Sequence, residues 1–403
     1  MKRYQWMGIM LSLVLLLCSC GTDKEVEKKA GESTSTPSAT ASVTPLISED
    51  EAFSEAEKIV KTMTIEQKVG QMFLVDLLQL DASPSVDGTA YKATDSMKQA
   101  IIDYHLGGVY LTKENIKSQK QTKKLVQNLQ ASVVSGSALY VAVEEDGGGE
   151  NSISAKVEDL KDTGYVTPKE MGQNMTANQI YESGKTIAGE LTKIGINLNL
   201  APVADLASAQ NPSYAMRCLG SDADGVADLL DDFVSGMREG GLSVTLKTFP
   251  GIGNVSADVT ESIAENTDSL MTIRDTNFVP YASGIQAGAD CVMVSNAAYS
   301  KLTVKKVPAF MSQDIVTKLL REELGFDGIV MTSPLNDNVI ENNYTNEFAV
   351  VEAVNKSDIQ DVKIKNFGYD DTFVEHGTVK ELEDKYGLSA EKISGKLFTF
   401  TEM

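Results

Sequence analysis

Asn197-Leu-Asn-Leu-Ala-Pro-Val203 follows directly on a helically spaced stretch, residues 177–194, and leads into Asp205. An apolar run of strand length without polar alternation suits a strand covered on both faces, and a helix just before it suits the crossover of a parallel sheet. The same unit recurs on either side. Gly70-Gln-Met-Phe-Leu-Val-Asp76, Gly107-Gly-Val-Tyr-Leu-Thr112 and Ala138-Leu-Tyr-Val-Ala-Val-Glu144 precede it. Ser243-Val-Thr-Leu-Lys-Thr-Phe249, Cys291-Val-Met-Val-Ser-Asn296 and Gly328-Ile-Val-Met-Thr-Ser333 follow, the last after helical spacing over residues 313–324. Seven such units predict an α/β fold, a (β/α)8 TIM-type barrel, over an open doubly wound sheet, for which no G-x-G-x-x-G follows the first strand. The eighth unit is atypical: Val362–Ile364 is its candidate strand and the Thr378–Leu397 region its candidate helix.

The strand-like runs end in polar residues, at Asp76, Glu144 to Asp146, Asp205, Lys247, Asn296 and Ser333. Any one of these alone reads as a cap or a loop residue. Their joint placement at strand ends, where a barrel carries its chemistry, predicts a shared cleft.

The 403 residues are 42% hydrophobic and carry a net charge of −21, which suits a globular body and excludes nucleic acid as a partner for want of a basic footprint. Met1-Lys-Arg, the apolar run Met7–Leu17 and Leu17-Cys-Ser-Cys20 resemble a bacterial lipoprotein signal over residues 1–20, with Cys20 as the lipid-bearing residue. An ordinary signal peptide cleaved nearby is the alternative. Residues 21–50 are small, polar and punctuated by proline, and read as a disordered tether. Helical spacing then begins near Glu51, with Ile59, Met63 and Ile65 ahead of Val69. The expected location is the bacterial cell membrane, lipid-anchored on the extracytoplasmic side. Cys218 and Cys291 match no disulfide framework or metal spacing and read as packing residues.

Leu246-Lys-Thr-Phe-Pro-Gly-Ile-Gly-Asn-Val-Ser-Ala-Asp-Val-Thr260 resembles the K-H-F-P-G-H-G-(D/N)-x-x-x-D-x-H signature of glycoside hydrolase family 3, in its β-N-acetylhexosaminidase branch. Ile194–Asp205 resembles the family's L-G-(I/V)-N-x-N-x-A-P-V-x-D strand, and Asn211-Pro through Arg217-Cys-Leu-Gly-Ser-Asp222 its N-P…R-S-(F/Y)-G-S-D segment. Leu319–Gly328 and Gly328-Ile-Val-Met-Thr-Ser-Pro-Leu335 resemble the helix and the G-(V/I)-(V/I)-x-(S/T)-D-(D/S)-L strand that carry the nucleophile. The barrel is expected over residues 51–360, with an atypical tail at 361–403. Within that tail, residues 362–393 resemble the C-terminal end of 1-deoxy-D-xylulose-5-phosphate synthase, without that enzyme's cofactor-binding or catalytic regions.

The resemblance implies retaining hydrolysis by a carboxylate nucleophile and a His acid/base held by an Asp. This chain has Ser333 at the nucleophile position and Thr260 at the acid/base position; Asp258 is the retained dyad Asp, and Thr248 and Ile252 replace the other histidines. Neither of its two histidines is placed to substitute: His105 lies at the start of a strand on the opposite face, and His376 in the tail. Arg217 and Lys247 match cationic residues that grip substrate hydroxyls, although both also read as ion-pair partners of nearby acids. Glu144 replaces a ligand-contacting aspartate, and Gly149 an arginine. No metal or cofactor is implied. The expected function is a catalytically inactive relative that binds peptidoglycan-type amino sugars or a protein partner. The alternatives are a hexosaminidase with a relocated carboxylate, Asp337 or Glu145, and a purely structural surface protein without a cleft.

Overall fold

A computed structural model describes residues 49–344, apart from 83–84, 86–87, 134–137, 148–152, 154–165 and 304–305. The expected leader with Cys20, Gly149, the candidate eighth strand and helix, His376 and the tail at 361–403 lie outside the described residues. The chain divides between residues 54 and 55, and the sheet belongs to the second part.

Seven parallel strands form one sheet: β1 (Leu74–Asp76), β2 (Gly108–Tyr110), β3 (Tyr140–Val143), β4 (Leu198–Asn199), β5 (Ser243–Phe249), β7 (Cys291–Val294) and β9 (Ile329–Thr332), hydrogen-bonded in that order. β6 (Glu265–Asn266) and β8 (Ala298–Tyr299) pair separately in the connecting loops. All seven expected strands are present in chain order with helices between them, an α/β arrangement of the barrel type.

The first run is shorter than the sequence suggests. Gly70 and Gln71 complete a helix, Ile65–Gln71, and the strand starts only at Leu74. Thr64 causes this: its hydroxyl accepts from Gln67 N–H at 3.3 Å while the Gln67 side chain accepts from Thr64 N–H at 2.9 Å, a reciprocal cap that restarts the chain as helix. A β-carbon at Gly70 would come within 2.0 Å of the Tyr104 carbonyl oxygen, so glycine lets this helix lie against the turn before β2.

Side chains alternate across the sheet as the pleat requires. Val141, Val143, Val244, Leu246, Val292 and Val294 join the large core, which includes Leu191, Leu230, Phe233 and Ile315 from the helices. Ala142, Leu198, Leu200, Cys291 and Met293 form a second, inner cluster with Leu74, Tyr110 and Met331. Covered on both faces, the strands need no polar alternation. Cys218 and Cys291 are both buried and unpaired, Cys291 in this inner layer.

Two local features aim the site. The β5–β7 register shifts between Leu246 and Phe249, so the strand bulges at Lys247 and Thr248. The helix expected at 313–324 is present as Asp314–Glu323, but wound with wider i→i+5 bonds, as in Leu324 N–H to Leu319 C=O at 3.0 Å.

Candidate active site

The loop after β3 is fixed by Asn199, whose side chain accepts from Glu145 N–H at 2.9 Å and donates to the Glu145 carbonyl at 3.0 Å. Glu145 itself is fully buried and turned back, its carboxylate accepting from Gly147 N–H at 3.1 Å. That arrangement removes it as a relocated carboxylate. Glu144 and Asp146 instead meet two cations. Lys247 Nζ lies 2.6 Å from Glu144 Oε1 and 2.9 Å from Asp146 Oδ1, and Arg217 Nε lies 2.7 Å from Asp146 Oδ2 while its Nη2 also binds Glu144. Burial pushes the Glu144 carboxyl up, but Lys247 and Arg217 outweigh burial and hold it down at about 2.

Two cations and two anions close a ring without net charge. Lys247 donates to Glu144 Oε1 at 2.6 Å and pairs by charge with Asp146. The ring thus offers neutral hydroxyls a donor beside an acceptor, while an added ion would find no net opposite charge. A cavity of about 180 Å³ opens beside Glu144, lined by Tyr110, Leu111, Thr112, Lys113, Glu114 and Ile153.

Asp205 does not line the cleft. It is fully buried and accepts from the Tyr214 hydroxyl at 2.8 Å, the Tyr281 hydroxyl at 3.0 Å, Ile252 N–H at 3.0 Å and the Thr248 hydroxyl at 3.1 Å. Two positions where the signature has histidines, 248 and 252, are thereby tied to a buried carboxylate that holds the loop after β5. Asp76 likewise caps the turn at Leu77–Leu80 through Leu78 N–H at 2.9 Å.

The other half of the site gathers on the loop after β5 and the end of β9. Asp258 accepts from Thr260 N–H at 2.9 Å and from the Thr260 hydroxyl at 2.7 Å, both residues being exposed. Ser333 is buried, and its hydroxyl donates to the Val294 carbonyl at 3.0 Å. Asn296, at the end of β7, donates to Asp337 Oδ2 at 2.9 Å. Burial above all, with the charges of Asp258 and Glu261 adding to it, raises the Asp337 carboxyl to about 6 against the Asn296 bond. Lys247 and Ser333 stand at the same, carboxyl end of parallel strands, as the cleft requires.

Residues 64–360 match the glycosyl hydrolase family 3 N-terminal domain, well over half of the chain. The chain belongs to glycosyl hydrolase family 3. It is 31% identical over 238 residues to a β-hexosaminidase of Xylella fastidiosa strain M23, covering 58% of this chain and 68% of that protein. A β-hexosaminidase of Neisseria meningitidis serogroup C is 27% identical over 252 residues, with 62% and 68% covered. Among solved structures, the family 3 β-N-acetylglucosaminidase of Paenibacillus sp. str. FPU-7 superposes with a TM-score of 0.64 at 27% identity, over 73% of this chain and 54% of that one. The chain thus spans about half of that enzyme. The β-N-acetylhexosaminidase of Beutenbergia cavernae gives 0.62 at 29% identity, over 73% and 85%.

On this family 3 frame the sequence-predicted Glu144, Arg217 and Lys247 come together, whereas Asp258, Thr260 and Ser333 belong to the second group, around Asp337. Asp146, expected only as one of the strand-end polar residues, has the same part in the ring as Glu144. Two further partners were not legible. Tyr214 lies inside the Asn211–Arg217 segment but carries no spacing signal. Tyr281, on the amphipathic helix Phe278–Gln286, reads as an ordinary core aromatic.

Proposed function

We propose that this family 3 chain recognises N-acetylhexosaminides, of the kind found in cell-wall glycans, at the carboxyl end of its sheet and hydrolyses their glycosidic bonds. The observation that carries the recognition is the neutral ring of Glu144, Asp146, Lys247 and Arg217, which suits uncharged sugar hydroxyls. The named relatives support hydrolysis over the inactive reading that the substitutions suggest, since they are β-hexosaminidases and β-N-acetylglucosaminidases. Asp337 supplies a half-buried carboxyl group with a pKa of about 6, in the range useful for proton transfer at neutral pH.

Binding without turnover is the second reading, and it is favoured by the Ser333 hydroxyl being engaged by Val294 and the Thr260 hydroxyl by Asp258. Isothermal titration with N-acetylglucosamine and muropeptides, run beside a chromogenic hexosaminide assay, separates the two. Binding with turnover is expected. Binding alone supports the second reading, and neither signal defeats both. The lipid anchor at Cys20 is part of the same proposal: Cys20→Ala should release the protein from the membrane fraction or leave its precursor uncleaved, and unchanged association defeats the anchor.

A further inference from the structure

A hydroxyl donating to Val294 occupies position 333, so a protein carboxylate is not available there to attack the anomeric carbon. Proton transfer is a separate requirement, and the structure places a group for it. Asp337 precedes the short helix Asn338–Glu341, and that helix carries the loop on which the acid/base position lies. Val339 N–H donates to the Thr260 carbonyl at 2.8 Å, and the Asn338 side chain donates to the Glu261 carboxylate oxygens at 2.9 and 3.1 Å. Asp337 therefore stands beside position 260.

Its partner suits a group that gains and loses a proton. Asn296 is fully buried and donates to Asp337, while its Oδ1 has no hydrogen-bond partner among the described residues. Half a turn of that amide converts a donor to the carboxylate into an acceptor from the carboxylic acid. The charged groups acting on Asp337 are Asp258 and Glu261 from the loop after β5; Asn296, just past β7, is uncharged. These like charges, added to burial, favour the protonated form.

We propose that Asp337 is the proton-transfer group of a hydrolysis in which the substrate's own acetamido group is the nucleophile. The proposal rests on reading the site as one for N-acetylhexosaminides. The acetamido oxygen bonds to the anomeric carbon as the glycosidic C–O bond breaks. That bond's electron pair stays on the departing oxygen, which takes the proton from Asp337. Water then adds to the anomeric carbon of the oxazolinium ion, the acetamido oxygen leaves, and the water's proton returns to the Asp337 carboxylate. One water is consumed per bond cleaved, and no protein atom bonds to the sugar. Acetamido assistance is an established alternative to a protein nucleophile in other glycosidases, and it explains how a chain with Ser333 could still turn over.

Two substrates test the two halves. With N,N′-diacetylchitobiose, whose leaving group needs protonation, Asp337→Asn should lower kcat/KM by roughly 10²–10⁴-fold. In the unsubstituted protein kcat/KM should fall as pH rises through about 6, because the acid must be protonated, and Asp337→Asn should lose this limb. With 4-nitrophenyl glycosides, replacing N-acetyl by N-trifluoroacetyl should slow the reaction by an order of magnitude or more, since the acetamido oxygen becomes a poorer nucleophile. Titration with N-acetylglucosamine checks that the variant remains folded. An unchanged rate in Asp337→Asn, or a rate indifferent to fluorination, overturns the proposal. Absence of turnover with sugar binding retained overturns it while leaving recognition standing, and loss of binding as well removes both.

Discussion

The two clusters at the carboxyl end of the sheet handle charge in opposite ways. Around Lys247, two carboxylates pair with two cations, and Glu144 is held ionised down to about pH 2. Around Asp337 the charges at work are those of the acids Asp258 and Glu261, and burial above all, with these charges added, raises the Asp337 carboxyl to about 6. The first arrangement suits holding an uncharged group in place, and the second suits the proton exchange proposed for it. The difference shows why the substitutions at 248, 260 and 333 do not bear equally on function. Thr248 belongs to the buried Asp205 anchor, Thr260 pairs with Asp258 in an exposed loop, and Ser333 is bound to the Val294 carbonyl, while none of the three enters the ring around Lys247.

The largest expected effect comes from opening the ring. Lys247 is 3% exposed, so Lys247→Met leaves Glu144 and Asp146 in a poorly hydrated place with Arg217 alone. Breaking a buried pair by removing one partner costs about 3–5 kcal/mol, and Arg217 should keep the loss near the lower end. Denaturant unfolding measures this, and titration with N-acetylglucosamine should show binding abolished. A variant as stable as the parent that still binds the sugar would mean that the ring is ornamental surface charge.

How much of this was legible follows the same division. The strands announced themselves because burial on both faces demands unbroken apolar runs, and Ser243–Phe249 matches its observed strand end to end. The ring was half legible: Glu144, Arg217 and Lys247 occupy family positions, but cyclic pairing through Asp146 depends on the bulge at Lys247 and on Asn199 fixing the β3 loop. Asp205 illustrates what sequence cannot show. A carboxylate at a strand end reads as cleft chemistry, and only the convergence of Tyr214, Tyr281, Thr248 and Ile252 reveals a buried anchor.

Opposite charge environments should also give opposite pH dependences of stability. Glu144 has a folded pKa of about 2 against roughly 4.3 unfolded, so its contribution is present above that unfolded value and lost as pH falls toward 2. Asp337 has a folded pKa of about 6 against roughly 3.9 unfolded. Its contribution is fully present below the unfolded value and is lost as pH rises through 6. Thermal midpoints taken between these limits should therefore fall with rising pH in the parent relative to Asp337→Asn, while Glu144→Gln should change the response only on the more acid side. Parallel curves for parent and Asp337→Asn would show that Asp337 titrates normally and belongs with ordinary surface acids.

The smallest effects distinguish two threonines that both stand where the family signature has histidine. Thr248 donates to the buried Asp205 and lies 2.9 Å from the Tyr214 hydroxyl, so its hydroxyl serves a carboxylate that cannot turn to water. Removing one donor to a buried charged acceptor costs about 1–3 kcal/mol, and Thr248→Val should fall within that range. Thr260 also donates to an aspartate, at 2.7 Å, but in an exposed loop where water can replace it. Thr260→Val should therefore change stability by no more than about 0.5 kcal/mol. Paired unfolding curves decide the point. Equal costs at the two positions would mean that the loop over residues 258–261 is as firmly built as the Asp205 anchor, leaving it little freedom to close over a substrate beside Asp337.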